Sequence, residues 1–105
     1  MNYKLIVLPE AEDNFASIID NIRIHQGQRQ ADAFSRDFGK QVARIIRHPY
    51  SFSLYYEEPM ASRGVRRALI KKYYRLFYTV DDDQGVVRVI GIYHSARDLG
   101  ELVAD

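Results

Sequence analysis

Between Arg63 and Arg75 six basic side chains (Arg63, Arg66, Arg67, Lys71, Lys72 and Arg75) stand with no acidic residue among them. The rest of the chain carries nine basic and fourteen acidic residues, a balance of −5, so the formal net charge of +1 conceals a cationic segment in an otherwise acidic protein. Further along come Arg88, His94 and Arg97, and tyrosines interleave the set at Tyr73, Tyr74, Tyr78 and Tyr93. Such a group can serve as a docking surface for an anionic partner. It can also serve metal-free cleavage of RNA, in which fixed cations stabilise the phosphorane and a histidine, tyrosine or carboxylate moves protons. A third use is local, since charges along a hairpin keep an exposed strand edge soluble. Composition leaves all three open.

Other chemistries lack their residues. The chain has no cysteine, which excludes disulfides and thiolate catalysis and permits a reducing compartment. No histidines stand at zinc spacing. Asp81-Asp82-Asp83 looks like the start of a calcium loop, but Gly85 comes too early and no glutamate closes it, so a hairpin turn is expected there. There is no Gly-rich phosphate loop, and no serine lies in a Gly-x-Ser-x-Gly elbow. No metal or cofactor is therefore expected. The apolar run Leu5 to Leu8 is too short for a signal-peptide core or a membrane span, so the expectation is a cytoplasmic protein without a membrane partner. With 105 residues, 47% hydrophobic and 28% charged, residues 1–105 are expected to form one globular domain.

The elements that must position the charged set follow from periodicity. Residues 3–8 alternate Tyr3, Leu5 and Val7 against Lys4, Ile6 and Leu8, which predicts a short strand. Pro9 ends it and opens a helix over 10–25, with Glu10, Glu12 and Asp13 suited to its amino terminus and Phe15, Ile18, Ile19 and Ile22 on one face. Gly27 marks the stop. Ala31, Phe34, Phe38, Val42, Ile45 and Ile46 then set out a second, longer helix that ends at His48-Pro49. The short Gln-Gly-Gln link implies an antiparallel helical hairpin. After an irregular stretch over 49–64, three segments rich in β-branched and aromatic residues predict strands at 65–70, 73–80 and 86–93. Lys71-Lys72 is a tight connection and Asp81 to Gly85 a turn, which together give a three-stranded antiparallel meander. Leu99, Leu102 and Val103 suggest a short terminal helix or tail lying back on the sheet.

The expected fold is α+β: an N-terminal strand, a two-helix hairpin and the meander, with the helices on one face of a small, mostly antiparallel sheet. The other face is expected to be only partly covered, next to the basic hairpin. Tyr74, Leu76, Tyr78 and Val80 share one strand face and read as core. His25 and His48 sit at helix ends, where they read as structural. His94 ends a strand, and Arg97 and Asp98 behind it can pair locally.

The run Gly64-Val65-Arg66-Arg67-Ala68-Leu69-Ile70-Lys71-Lys72-Tyr73-Tyr74-Arg75-Leu76-Phe77-Tyr78 resembles the central hairpin of toxins of the RelE/ParE superfamily. So does the finish Ile92-Tyr93-His94-Ser95-Ala96-Arg97-Asp98. With the strand and helical hairpin before them, the resemblance spans nearly the whole chain. It implies the toxin of a bacterial type II toxin–antitoxin system, a plasmid-stabilising device in which a cognate antitoxin wraps the toxin with its carboxy-terminal part.

Two activities are implied by that resemblance. ParE-like members inhibit DNA gyrase; the Ile-Lys-Lys-Tyr hairpin, long helices and His-Ser-Ala-Arg-Asp ending resemble this branch, with Arg66, Arg67, Lys71, Lys72 and Arg97 as candidate target contacts. RelE-like members, including the YoeB type, cleave messenger RNA on the ribosome. For them Arg75 matches an arginine ahead of the hydrophobic strand core, His94 falls near a terminal histidine, and Glu57 and Glu58 lie near the candidate base. The catalytic set would then be Arg67, Arg75, His94 and Glu57. Ser95 replaces a terminal tyrosine of the YoeB type, and the RelE lysine pair has no clean counterpart. The ParE-like reading is favoured. A further alternative is a nucleic-acid- or protein-binding module without toxicity.

Overall fold

The computed structural model describes residues 3–95. The chain runs from strand β1 (Lys4–Val7) into helices α1 (Pro9–Gln26) and α2 (Gln28–Arg47), then through two short 3₁₀ turns to strands β2 (Arg66–Ile70), β3 (Tyr74–Asp81) and β4 (Val86–His94). The expected α+β order is present. Leu99, Leu102 and Val103, expected to lie back on the sheet, fall outside the described residues, as do Arg97 and Asp98.

Both helices begin and end where local chemistry dictates. Pro9 occupies the first turn of α1, where its missing N–H is no loss, and Glu10 and Glu12 face the positive end of the dipole. Gly27 alone joins α1 to α2, with φ of 98°, a backbone state that a Cβ disfavours. A one-residue joint folds the helices into the antiparallel hairpin, and Phe15 of α1 packs on Phe34 and Phe38 of α2.

The sheet order is β1-β4-β3-β2. β2, β3 and β4 form the antiparallel meander, while β1 joins the far side of β4 in parallel, pairing Lys4 with Val86 through Val7 with Val89. The helical hairpin covers one face. Its buried residues Ala11, Ile22, Ala31, Phe34 and Ile45 join Ala68, Ile70, Leu76, Tyr78, Val87, Val89 and Ile92 of the sheet. Tyr78 is fully buried and its hydroxyl donates to the carbonyl of Pro49, so the one polar atom of that side chain is satisfied.

The second face holds a smaller cluster of Tyr55, Met60, Val65, Phe77 and Tyr93, with Ile90 beside it. It is the irregular segment before β2 that covers this face. Ser53 to Tyr55 also pairs with the β2 side: the Tyr55 N–H donates to the Val65 carbonyl at 2.8 Å, and the Arg67 N–H to that of Ser53 at 3.1 Å. The β2 edge is thereby capped in part. A register shift opposite Phe77/Tyr78 inserts one extra residue in β4, since Phe77 pairs with Gly91 and Tyr78 with Val89. The insertion keeps Val87, Val89 and Ile92 on the helix face while Ile90 and Tyr93 turn to the other.

Candidate functional site: the lysine-tipped hairpin and its groove

The connection between β2 and β3 is built from Lys71, Lys72 and Tyr73, all exposed. Lys71 and Lys72 both lie in the left-handed region, with φ of 58° and 62°. For residues with a Cβ this conformation costs about 1–2 kcal/mol each. Two contacts from α2 bracket the turn. The Asp37 carboxylate accepts the Lys71 backbone N–H at 2.9 Å, and the Gln41 side-chain amide donates to the Leu69 carbonyl. Among the described residues neither lysine ammonium has an ion pair or a hydrogen bond.

Behind the tip lies a groove of about 320 Å³ between the helical hairpin and the sheet end. Ile22, Phe34 and Tyr74 form its apolar wall, and Gln26, Gln30, Lys71, Lys72 and His94 its polar rim. A second hollow of about 340 Å³ continues along α1 past Asn14, Ser17 and Asn21, sharing Tyr74 and His94 with the first. Tyr74 stands edge-on to both Phe34 and His94, with ring centroids at 5.0 and 5.3 Å. Burial pushes the Tyr74 phenol up from its ordinary value, so it stays a neutral donor in this wall.

The remaining candidates divide between the two faces of the sheet. Arg75 pairs across with Tyr93, on the face opposite the helices. Its guanidinium donates to the Ser95 carbonyl at 2.9 Å and to the Tyr55 hydroxyl at 3.5 Å. Tyr55 stacks on the exposed Tyr56, and its phenol is pushed up by burial and then by the nearby Glu57 carboxylate, against the Arg75 charge. Arg67 lies on this same face, two positions from Leu69, which is paired with Arg75. His94 instead pairs with Tyr74 and contacts its ring on the helix side. The structure thus brings Arg75 and Glu57 to Tyr55, with Arg67 on the same sheet face, and places His94 with Lys71 and Lys72. Arg66 belongs to neither group: it donates to the Phe52 carbonyl at 2.6 Å and lies over the Tyr50 ring. Arg97 is outside the described residues.

A family model for the ParE toxin of the type II toxin–antitoxin system parDE matches residues 5–99. The chain belongs to the ParE toxin family. No curated protein matches its sequence significantly. Several solved structures share its fold. The chromosomal ParDE system of P. aeruginosa superposes with a TM-score of 0.70 at 17% identity, over 88% of this chain and 95% of that one. The RelBE2 complex of Mycobacterium tuberculosis gives 0.62 at 19% identity, over 90% and 99%. The isolated RelE toxin of E. coli gives 0.59 at 18% identity, over 97% and 94%. These likenesses establish the RelE/ParE fold.

Within this ParE-family fold, the groove floor had a signal in the sequence, because Ile22, Phe34 and Tyr74 are periodic apolar positions. Asp37, Gln41 and Tyr55 had none. Each works through a backbone group or a residue distant in sequence, and no local pattern marks it.

Proposed function

We propose that this ParE-family toxin docks its lysine-tipped β2–β3 turn on DNA gyrase and inhibits it without cleaving a substrate. The observation that carries the reading is the turn itself: two exposed lysines in a bracketed, left-handed conformation, with no carboxylate of the described chain neutralising them. Fixed charges that no described carboxylate neutralises favour complementarity to an anionic surface on another macromolecule. Arg67 is a further contact in this reading, and Arg97 another, while Arg66 braces Phe52 and Tyr50.

The placement of Arg75 and His94 supports the same choice. A phosphodiester cleavage site needs cation and proton carrier within reach of one phosphate. Here the two side chains leave opposite faces of the sheet, and Arg75 ties Tyr55 to the carbonyl of Ser95.

Silencing follows from the same groove. A cognate antitoxin supplies an acidic, amphipathic segment, with apolar anchors against Ile22, Phe34 and Tyr74 and carboxylates beside Lys71 and Lys72. Target and antitoxin then compete for one lysine pair in the cytoplasm. Among the described residues no helix is long and apolar enough to cross a membrane.

The test adds purified protein to gyrase with relaxed plasmid and, in parallel, to a programmed ribosome carrying messenger. Blocked supercoiling with intact messenger supports docking; cleaved messenger with unaffected gyrase overturns it. A second reading has one observation in its favour, the meeting of Arg75 and Glu57 at Tyr55, on the sheet face that Arg67 shares. In a metal-free nuclease Arg67 and Arg75 would neutralise phosphate there, with Glu57 as base and His94 reaching around the sheet end as acid. Arg75→Ala would then cost about 10²-fold or more in cleavage rate; undiminished cleavage by that variant would remove the assignment.

A further inference from the structure

We infer that Asp37 is a positioning residue for the toxin's lysine tip. Its carboxylate, reaching from α2 to the Lys71 backbone N–H, holds two consecutive lysines in the left-handed state that presents both ammonium groups to a partner. The inference rests on the docking function proposed above and deepens it.

Left-handed backbone at a residue other than glycine persists only where the surroundings over-determine it. The turn has two such residues in succession and no glycine, with φ of 58° and 62° at Lys71 and Lys72. Intrinsic preference does not account for that state, so the paired strands and contacts from outside the hairpin must hold it. Two side-chain hydrogen bonds from α2 reach the hairpin here, one to the turn and one to the strand before it. Asp37 accepts the first turn residue's N–H at 2.9 Å, and Gln41 donates to the carbonyl of Leu69, two residues earlier. Positions four apart lie on one helix face, so a single turn of α2 grips a donor and an acceptor of the hairpin.

The chemistry of the grip matters as much as its place. Asp37 stands close enough to the hairpin to have neutralised a lysine, yet its carboxylate engages a peptide N–H and forms no ion pair among the described residues. A charge-assisted hydrogen bond to backbone fixes the turn and leaves the ammonium groups for a partner. α2 also carries Gln30 and Phe34 of the adjoining groove. The helix that lines the groove is therefore the helix that sets the tip.

The experiment compares the parent chain with Asp37→Asn, which keeps an acceptor oxygen, and Asp37→Ala, which removes it. Two quantities are read: amide hydrogen exchange at Lys71 by NMR, and the concentration that half-inhibits gyrase supercoiling. The alanine variant is expected to raise Lys71 exchange, relative to amides within β3, and the half-inhibiting concentration each by about tenfold, the loss of one charge-assisted hydrogen bond. The asparagine variant keeps a neutral hydrogen bond and is expected to fall between the parent and the alanine variant in both. Unchanged Lys71 exchange in the alanine variant overturns the inference. So does an asparagine variant as impaired as alanine, because charge rather than the accepted hydrogen bond would then decide. If the parent itself leaves gyrase active, the docking function falls, and the exchange measurements still decide the role of Asp37.

Discussion

A lysine ammonium serves a partner best when no carboxylate of its own chain has already neutralised it. Among the described residues the ion pairs are Arg23 with Asp20 and Arg88 with Asp81, and neither involves a lysine of the hairpin tip. Lys71 and Lys72 hold their charge at the end of a turn whose backbone they do not favour. Replacing Lys72 by glycine should therefore raise stability by about 0.5–1 kcal/mol, the left-handed strain relieved less the added freedom of the unfolded chain. Urea unfolding measures it, and a variant less stable than the parent would show that the side chain packs rather than strains. The same variant is expected to inhibit gyrase more weakly, since it removes one of the two charges. At this scale the sequence was informative about charge and silent about pairing. The six basic residues between Arg63 and Arg75, and His94, stand out in composition, whereas Asp37 meets its partner 34 positions away through a peptide N–H that no side-chain pattern announces.

Strand β4 carries the geometry on which both sheet faces depend. Its extra residue near Gly91 turns Ile92 to the helices and Tyr93 to the second cluster. The Tyr93 ring lies back over Gly91 so closely that a Cβ there would meet the ring at 2.5 Å, and its hydroxyl donates to Glu10 of α1 at 3.2 Å. Gly91→Ala should thus destabilise the fold by about 1–3 kcal/mol through overpacking. Truncating the ring with Tyr93→Ala in the same chain should recover much of the loss at Gly91, so that the two changes are not additive. A thermal unfolding cycle in which they add would show that the glycine serves something other than the ring. The helices and the meander were legible because their apolar periods are local and long. The parallel seat of β1 on β4 was not, since it joins residues at opposite ends of the chain. Nor was the cover over the second face: the segment before β2 has no regular period, and Tyr55 and Met60 reach the cluster from irregular backbone.

At the scale of the whole molecule, the end of the sheet away from the lysine tip is closed by a tyrosine clasp. Asp82 accepts from the Tyr3 hydroxyl at 2.7 Å and from that of Tyr50, tying β1, the first 3₁₀ turn and the β3–β4 turn together. The Tyr50 and Tyr3 hydroxyls hold the Asp82 carboxyl below its ordinary value of 3.8, and the Arg88 guanidinium does the same for Asp81. Folded values lowered in this way give stability that is present above the ordinary carboxylate range and lost as pH falls through the folded values. On the alkaline side Tyr50, hydrogen-bonded to Asp82, and Tyr78, buried, are both pushed up to about 12. Their contribution is present below the ordinary value of 10.0 and lost as pH rises towards the folded values. Urea midpoints should accordingly change little between these limits and fall on either side, with Asp82→Asn flattening the acid limb; an unaltered acid limb in that variant would take Asp82 out of the account. The opposite end carries the lysine tip, and the most direct test of its role is a gyrase supercoiling titration of the parent against the double variant Lys71→Glu, Lys72→Glu. With the parent inhibiting, the account predicts that charge reversal abolishes inhibition while the circular dichroism spectrum and melting temperature stay close to the parent's. Full inhibition by the reversed, folded variant would contradict it.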